Sequence, residues 1–168
     1  MARQITHRTI AEFPAERVYT VMVDPEFLKA RLERLGGPGA ALLEHHVDDK
    51  GARYRLRHGV DADAVPPMVR SLVNGDLVIQ RDETLVPDGP GRYSGTVAVA
   101  IPGTPASAQG GMRLADLGEG TSEFVVDAAV TVKVPLIGGK IESMVAGQIE
   151  GLLGTETAFT LDWLRQHS

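Results

Sequence analysis

The side chains able to do chemistry in this sequence are few, and the most suggestive pair lies on one long helical stretch near its end. At about 100° per residue, Gln148 falls beside Ile141 and Leu152, and Glu156 falls between Ile149 and Trp163. Both polar groups thus sit in a sector otherwise made of bulky apolar side chains. A carboxylate sealed in such a sector without a partner is costly. An inward Glu156 therefore requires an arginine, a water or a ligand group, and its pKa would move as those of functional acids do. The plainer alternative is favoured, because acids are rarely fully buried: the helix end emerges from the fold and Glu156 is solvated. On the first alternative Gln148, and secondarily Glu156, orient a mostly hydrophobic ligand.

Other candidate chemistry is weaker. His45 and His46 are adjacent, so on a strand they point to opposite faces and do not share an ion. His58 with Asp61 and Asp63 offers nitrogen and oxygen ligands near a turn. Without a recognised ligand spacing, a surface histidine beside solvated acids is favoured, and no metal is expected. His7 and His167 lie near the ends of the sequence. The absence of cysteine excludes thiolate nucleophiles, disulfides and the common zinc-finger frameworks. No Gly-x-Ser-x-Gly elbow occurs, and the serines lack recognisable histidine and acid partners. Gly36-Gly37-Pro38-Gly39 and Gly118-Glu119-Gly120 are turn sequences, not phosphate loops. Gly138-Gly139-Lys140 opens a helix whose free amides could hold an anion. Its Walker spacing is missing, so a tight turn that folds the helix onto a sheet is favoured, and no cofactor is expected.

These groups must be positioned by elements with clear signatures. Ile5–Ile10 reads as a first strand that stops at Phe13-Pro14. A short helix then carries Val18, Val21 and Met22 on one side. Asp24-Pro25-Glu26-Phe27 is a helix start: Asp24 caps bare amides, Pro25 suits the first turn, and Glu26 suits the positive end. Phe27, Leu28, Leu32 and Leu35 follow at helical spacing up to Gly36-Gly37-Pro38, a glycine-then-proline stop. From Ala41 the period becomes two. Ala52, Tyr54, Leu56, His58 and Val60 alternate with Arg53, Arg55 and Arg57, giving one covered and one wet face.

Asp61–Met68, with Pro66-Pro67, interrupts this pattern, and Val65–Leu72 is either a short helical turn or an irregular edge. Strand-like runs Asp76–Leu85, Arg92–Ile101, Ala106–Leu117 and Thr121–Val134 then follow, joined by turns short enough for an antiparallel meander. The last run alternates most cleanly, with Phe124, Val126, Ala128, Val130, Val132 and Val134 on one face. The closing helical stretch runs without proline from Gly138 to Arg165 and, at about 1.5 Å per residue, spans roughly 40 Å. Its bulky stripe comprises Ile141, Val145, Leu152, Phe159 and Trp163, flanked by Met144 and Ile149. Gly147, Gly151, Gly154 and Ala158 gather elsewhere, where close helix-on-sheet packing or a subunit contact is favoured over ligand contact. The economical arrangement of such a sheet and helix is α+β, with the helix across the concave face.

Length and charge set the remaining bounds. The 168 residues suffice for one domain with a real core, expected to be residues 1–168 as a whole. A net charge of −5 argues against a general nucleic-acid binder. No run approaches the roughly 20 apolar residues of a membrane span, and no signal-peptide core opens the sequence, so a cytoplasmic protein is expected.

The order of elements resembles the START-like (SRPBCC) superfamily with its helix-grip fold. The resemblance rests on Ile5–Ile10, the Asp24-Pro25-Glu26-Phe27-Leu28 helix start and the glycine-opened terminal helix. More narrowly, Val132-Lys133-Val134-Pro135-Leu136-Ile137-Gly138-Gly139-Lys140-Ile141-Glu142 is similar to the hallmark of an uncharacterised bacterial START-like family. The resemblance implies a curved antiparallel sheet of six or seven strands, two short helices after the first strand, and a long C-terminal helix. It also implies an apolar cavity between sheet and helix. Superfamily members bind lipids, sterols, polyketides, plant hormones and other hydrophobic molecules, and some are cyclases, aromatases or hydroxylase components. No active-site residue carries over from the narrower family.

The expected function is binding or carriage of a small hydrophobic molecule, lipid-like or polyketide-like. Candidate contacts are Tyr54, Leu56, His58, Tyr93, Val97, Met112 and Leu114 from the sheet, and Met144, Gln148, Leu152, Glu156 and Phe159 from the helix. All are also credible as ordinary core, since pockets are lined mainly by such residues. Two alternatives stay open: a cyclase- or aromatase-like enzyme in which Tyr54, His58, Tyr93 or Glu156 serves as acid or base, and a protein-interaction module with no small ligand. The oligomeric state is open between monomer and homodimer.

Overall fold

The computed structural model describes residues 2–61, 63, 65, 67–70 and 77–167. Seven strands, β1 (Arg3–Ala11), β2 (Ala41–Asp48), β3 (Gly51–Val60), β4 (Leu77–Pro87), β5 (Arg92–Ala100), β6 (Ala106–Gly118) and β7 (Thr121–Val132), form one antiparallel sheet. Its order is β1-β7-β6-β5-β4-β3-β2. Helices α1 (Ala15–Met22) and α2 (Pro25–Leu35) carry the chain from one edge strand to the other. A single turn, α3 (Pro67–Arg70), precedes β4, and α4 (Gly138–Gln166) closes the order. Residues 62, 64, 66 and 71–76, including Asp76 where the fourth strand-like run was expected to begin, lie outside the described residues.

Alternation places the sheet's faces as expected. Ala52, Tyr54, Leu56 and His58 of β3 are buried while Arg53 and Arg57 are exposed, and Val126, Ala128, Val130 and Val132 of β7 are buried together. Two strand positions leave no room for a side chain. A Cβ on Gly95 of β5 would collide with the Thr84 carbonyl of β4, and one on Gly110 of β6 with the Asp127 carbonyl of β7. Neighbouring backbones crowd these two positions, which only glycine tolerates.

The short helices form for the reasons their sequences suggest. The Asp24 carboxylate accepts the Glu26 amide at 3.0 Å, capping α2 behind Pro25. Its buried face is Phe27, Leu28, Arg31 and Leu32. In α1, Val18, Val21 and Met22 are buried.

Two contacts explain how α4 starts. A Cβ on Gly138 would lie 2.6 Å from the Val132 carbonyl, so glycine lets the helix turn directly off the end of β7. One turn later the buried Glu142 carboxylate accepts the Val132 amide at 2.9 Å, tying helix to strand.

α4 packs against β1 and β7 and, towards its end, against α1 and α2. Its most buried positions are Ile141, Glu142, Ala146, Leu153, Glu156 and Leu164, whereas Val145, Leu152, Phe159 and Trp163 are half-buried. Of the expected stripe only Ile141 is fully buried: Val145 and Leu152 line the cavity and Phe159 and Trp163 turn towards α2, so the buried face lies to one side of the expected one. Phe159 and Trp163 meet Phe27 at ring separations of 5.7 and 5.5 Å. The glycine face is a correction. Nothing lies within 4 Å of a Cβ built on Gly147, Gly151 or Gly154, so these glycines do not serve helix-on-sheet packing. Among the described residues no helix is long and apolar enough to cross a membrane.

Candidate ligand cavity

The buried apolar side chains fall into two clusters. One lies under α1, α2 and the end of α4 and includes Phe27, Leu28, Leu56, Leu85, Leu114 and Leu164. The other joins β1 and β5–β7 to the middle of α4 through Ile5, Val97, Met112, Val126 and Leu153. Between sheet and α4 remains a cavity of about 480 Å³, within the roughly 300–1,000 Å³ of small-molecule pockets. Close packing would be the norm for a core. The sheet side of the cavity wall mixes Ile5, Val97, Val99 and Val126 with the smaller Ala106, Ala108 and Ala128, and the helix side carries Val145, Ile149, Leu152 and Leu153.

One part of the wall is charged. Arg31 of α2, His58 of β3, Arg81 and Glu83 of β4, and Glu156 of α4 all line the cavity and all are buried. Arg81 donates from Nε to Glu83 Oε1 at 2.5 Å and from Nη1 to Glu156 Oε2 at 3.0 Å. Arg31 lies across the Phe27 ring, its guanidinium carbon 5.8 Å from the centroid, and its Nε is 3.8 Å from Glu156 Oε2. Burial opposes the charge on Glu156, yet Arg31 and Arg81 outweigh it and hold the carboxyl below its ordinary range. Burial likewise opposes the charge on Arg81, and Glu156 and Glu83 overcome it, leaving the guanidinium more firmly protonated than usual. Two guanidinium groups thus balance two carboxylates.

His58 is the uncharged member. Burial, then the charge of Arg81, pulls its imidazole down to about 4. Tyr54 stands behind the cluster, its phenol pushed well above its ordinary value by burial and then by the nearby charge of Glu83.

Two favoured expectations are overturned here. Glu156 is not a solvated residue at an emerging helix end; it is 3% exposed and paired with arginine. His58 is not a surface histidine beside solvated acids: it is 5% exposed, while Asp61 and Asp63 are exposed. The cause is the same in both cases, since inward positions of β3, β4 and α4 converge where the apolar lining gives way to charge. Among the described residues, no group of three or more His, Asp or Glu is placed to hold a metal ion.

Of the other expected contacts, Val97, Met112, Leu114, Met144, Gln148 and Leu152 line the cavity with His58 and Glu156. Gln148 is exposed and stands at the rim. Four residues lie off the wall. Leu56 is wholly buried in the α1–α2 cluster, and Tyr54 is packed there with its ring 6.3 Å from that of His45. Tyr93 stacks on Tyr19 at 4.2 Å, and Phe159 belongs to the aromatic group with Phe27 and Trp163.

Arg31, Arg81 and Glu83 were not singled out, although the sequence carries a signal for each. Arg81 and Glu83 fall in phase with Leu77, Ile79 and Leu85, the covered face of β4. Arg31 is four residues after Phe27 and three after Leu28, on the apolar side of α2. Opposite charges in phase with apolar residues on two elements, facing an acid in phase on a third, are the mark of a buried network.

The sequence matches, over residues 6–164, the family described as "Protein of unknown function (DUF2505)". An uncharacterized protein of Mycobacterium tuberculosis is 28% identical over 159 residues, 91% of each chain. Among solved structures, a START superfamily protein from Mycobacterium smegmatis aligns with a TM-score of 0.55 at 14% identity, covering 98% of this chain and 99% of that one. The Zhui aromatase/cyclase from Streptomyces sp. R1128 aligns with a TM-score of 0.55 at 12% identity, covering 98% and 92%. At such identities these structures share the fold alone. With its curved seven-stranded sheet gripping a long terminal helix, the chain belongs to the DUF2505 family and has a START-like fold.

Proposed function

We propose that the protein binds and carries a small, mostly hydrophobic molecule in the cavity between the sheet and α4. The observation that carries this reading is an apolar-walled space of about 480 Å³ left open inside an otherwise packed fold. Filling such a space with an apolar molecule recovers the dispersion contacts its lining lacks and removes ligand surface from water. His58, Val97, Met112, Leu114, Met144, Gln148, Leu152 and Glu156 are the proposed contacts among those expected from sequence.

Native mass spectrometry of the purified protein, followed by denaturing extraction, tests the reading. A co-purifying hydrophobic molecule recovered unchanged supports carriage, as does saturable binding of the uncharged probe N-phenyl-1-naphthylamine. Val99→Trp, which places an indole into the cavity wall, abolishes that binding without unfolding the chain. Failure of both the extract and the probe refutes the proposal.

The enzymatic alternative is favoured by one observation, His58 on the cavity wall, where it could face a bound carbonyl compound, although an imidazole pulled down to about 4 is only a weak base. Tyr54 and Tyr93 lie off that wall, and Glu156 is held by arginine. Conversion of the extracted molecule on incubation with fresh protein would favour this alternative.

A further inference from the structure

Polar atoms buried without a partner are rare and call for a cause. Among the described residues, the buried side-chain atoms with no hydrogen-bond partner are Arg31 Nε, Arg31 Nη2, His58 Nε2 and Ser122 Oγ. Ser122 is away from the cavity wall, whereas Arg31 and His58 are both on it. The orphaned groups of the cavity therefore concentrate in the charged part of a mostly apolar wall. Their geometry is specific. Nε–H and Nη2–H form one edge of the guanidinium, a fork that closes on an sp² oxygen acceptor. Neutral His58 adds a third donor in its Nε2–H tautomer.

Charge decides which acceptor fits. Arg31 and Arg81 are matched by Glu83 and Glu156, and Glu156 Oε2 stands 3.8 Å from the Nε of the Arg31 fork. A ligand carboxylate seated there would bring a second anion beside Glu156, with no cation left uncompensated in the buried cluster. An uncharged oxygen would satisfy the donors without disturbing the balance.

We infer that the cavity selects uncharged, mostly apolar molecules bearing a carbonyl-type oxygen, which Arg31 receives on its Nε–Nη2 edge with His58 beside it. This rests on the ligand-binding reading above and goes beyond it by naming the functional group recognised.

A matched trio of near-equal shape tests it by displacement of N-phenyl-1-naphthylamine at neutral pH: 2-ethylnaphthalene, 2-acetylnaphthalene and 2-naphthoate. The ketone is expected to displace the probe at a concentration at least tenfold lower than either the hydrocarbon or the carboxylate. Arg31→Lys keeps the charge but loses the fork; it reduces the ketone's advantage over the hydrocarbon to less than threefold. His58→Phe serves as a second variant and lowers the same ratio.

Equal binding of ketone and hydrocarbon overturns the inference while the carrier reading stands, since the orphaned donors would then contribute nothing to recognition. Preference for the naphthoate overturns it in favour of an anionic ligand. No binding of the probe or of any of the three removes both readings together.

Discussion

Arg81→Met is the most informative single substitution, because it converts a balanced buried network into an unbalanced one. The methionine approximates the volume of the arginine stem, so packing changes little. Glu83, 2% exposed, loses the partner at 2.5 Å, and Glu156, 3% exposed, loses the bond at 3.0 Å and keeps only Arg31 at 3.8 Å. Removing one side of a buried ion pair costs about 3–5 kcal/mol, a large share of the roughly 5–15 kcal/mol that holds a domain folded. The loss is expected to depend on pH. In the native protein the depressed Glu156 carboxyl contributes stability that is present above its unfolded pKa and is lost as pH falls through the folded one.

Without Arg81, burial weighs against the Glu156 charge with only Arg31 left to offset it, so its folded pKa rises and the deficit is larger at neutral pH than at mildly acidic pH. Arg81→Met/Glu83→Gln removes one of the stranded charges and should recover about 1–2 kcal/mol of the loss at neutral pH. Urea unfolding followed by the fluorescence of Trp163, the single tryptophan, measures all of this, since its ring packs edge-on to Phe27 at 5.5 Å in the α2–α4 contact. A loss below about 1 kcal/mol, the range of exposed pairs, with no pH dependence, would refute the buried-network assignment.

Two further outcomes follow from other parts of the fold. Gly147→Ala and Gly151→Ala add a methyl where no atom lies within 4 Å, so each should stabilise the protein by about 0.5–1 kcal/mol through lower unfolded-state entropy and better helix propensity. A drop in melting temperature accompanied by a change in sedimentation would show instead that this face meets a second subunit. His58, with its folded pKa lowered from 6.5 to about 4, contributes stability that is complete above pH 6.5 and is lost as pH falls towards 4. His58→Leu should flatten the urea-midpoint profile across that window, and an unchanged slope would contradict a buried neutral imidazole.

The architecture was legible because its signals are local and redundant. The period-two burial of β3 and β7, the Asp24 cap with Pro25 behind it, and the Gly138 turn each state a backbone geometry within a few residues. Agreement among such signals is what makes a sequence specify one fold. The rotation of α4 was not available in the same way. A helical wheel gives the width of an apolar stripe, but its azimuth depends on how burial is divided between neighbours, here β1 and β7 against α1 and α2. Reading the glycine face as a helix-on-sheet packing surface failed for the same reason: small residues permit close approach without requiring it.

The charged cluster shows where pattern reading from one element at a time stops. Arg31, Arg81, Glu83 and Glu156 each break an apolar face, and each taken alone is most simply assigned to solvent, because an isolated buried charge is prohibitively costly. Taken together the assignment reverses. Three elements far apart in sequence present charges of both signs to one place, and the cost of burying any one is offset by the others. A hydrophobic pair of the same volume would in general be at least as stable, so stability does not explain why two ion pairs sit in the wall of an apolar cavity. What sets this cluster apart is Arg31, which lies over Phe27, stands 3.8 Å from Glu156 and leaves Nε and Nη2 without a hydrogen-bond partner, the arrangement that the proposed recognition of a carbonyl-type oxygen would use.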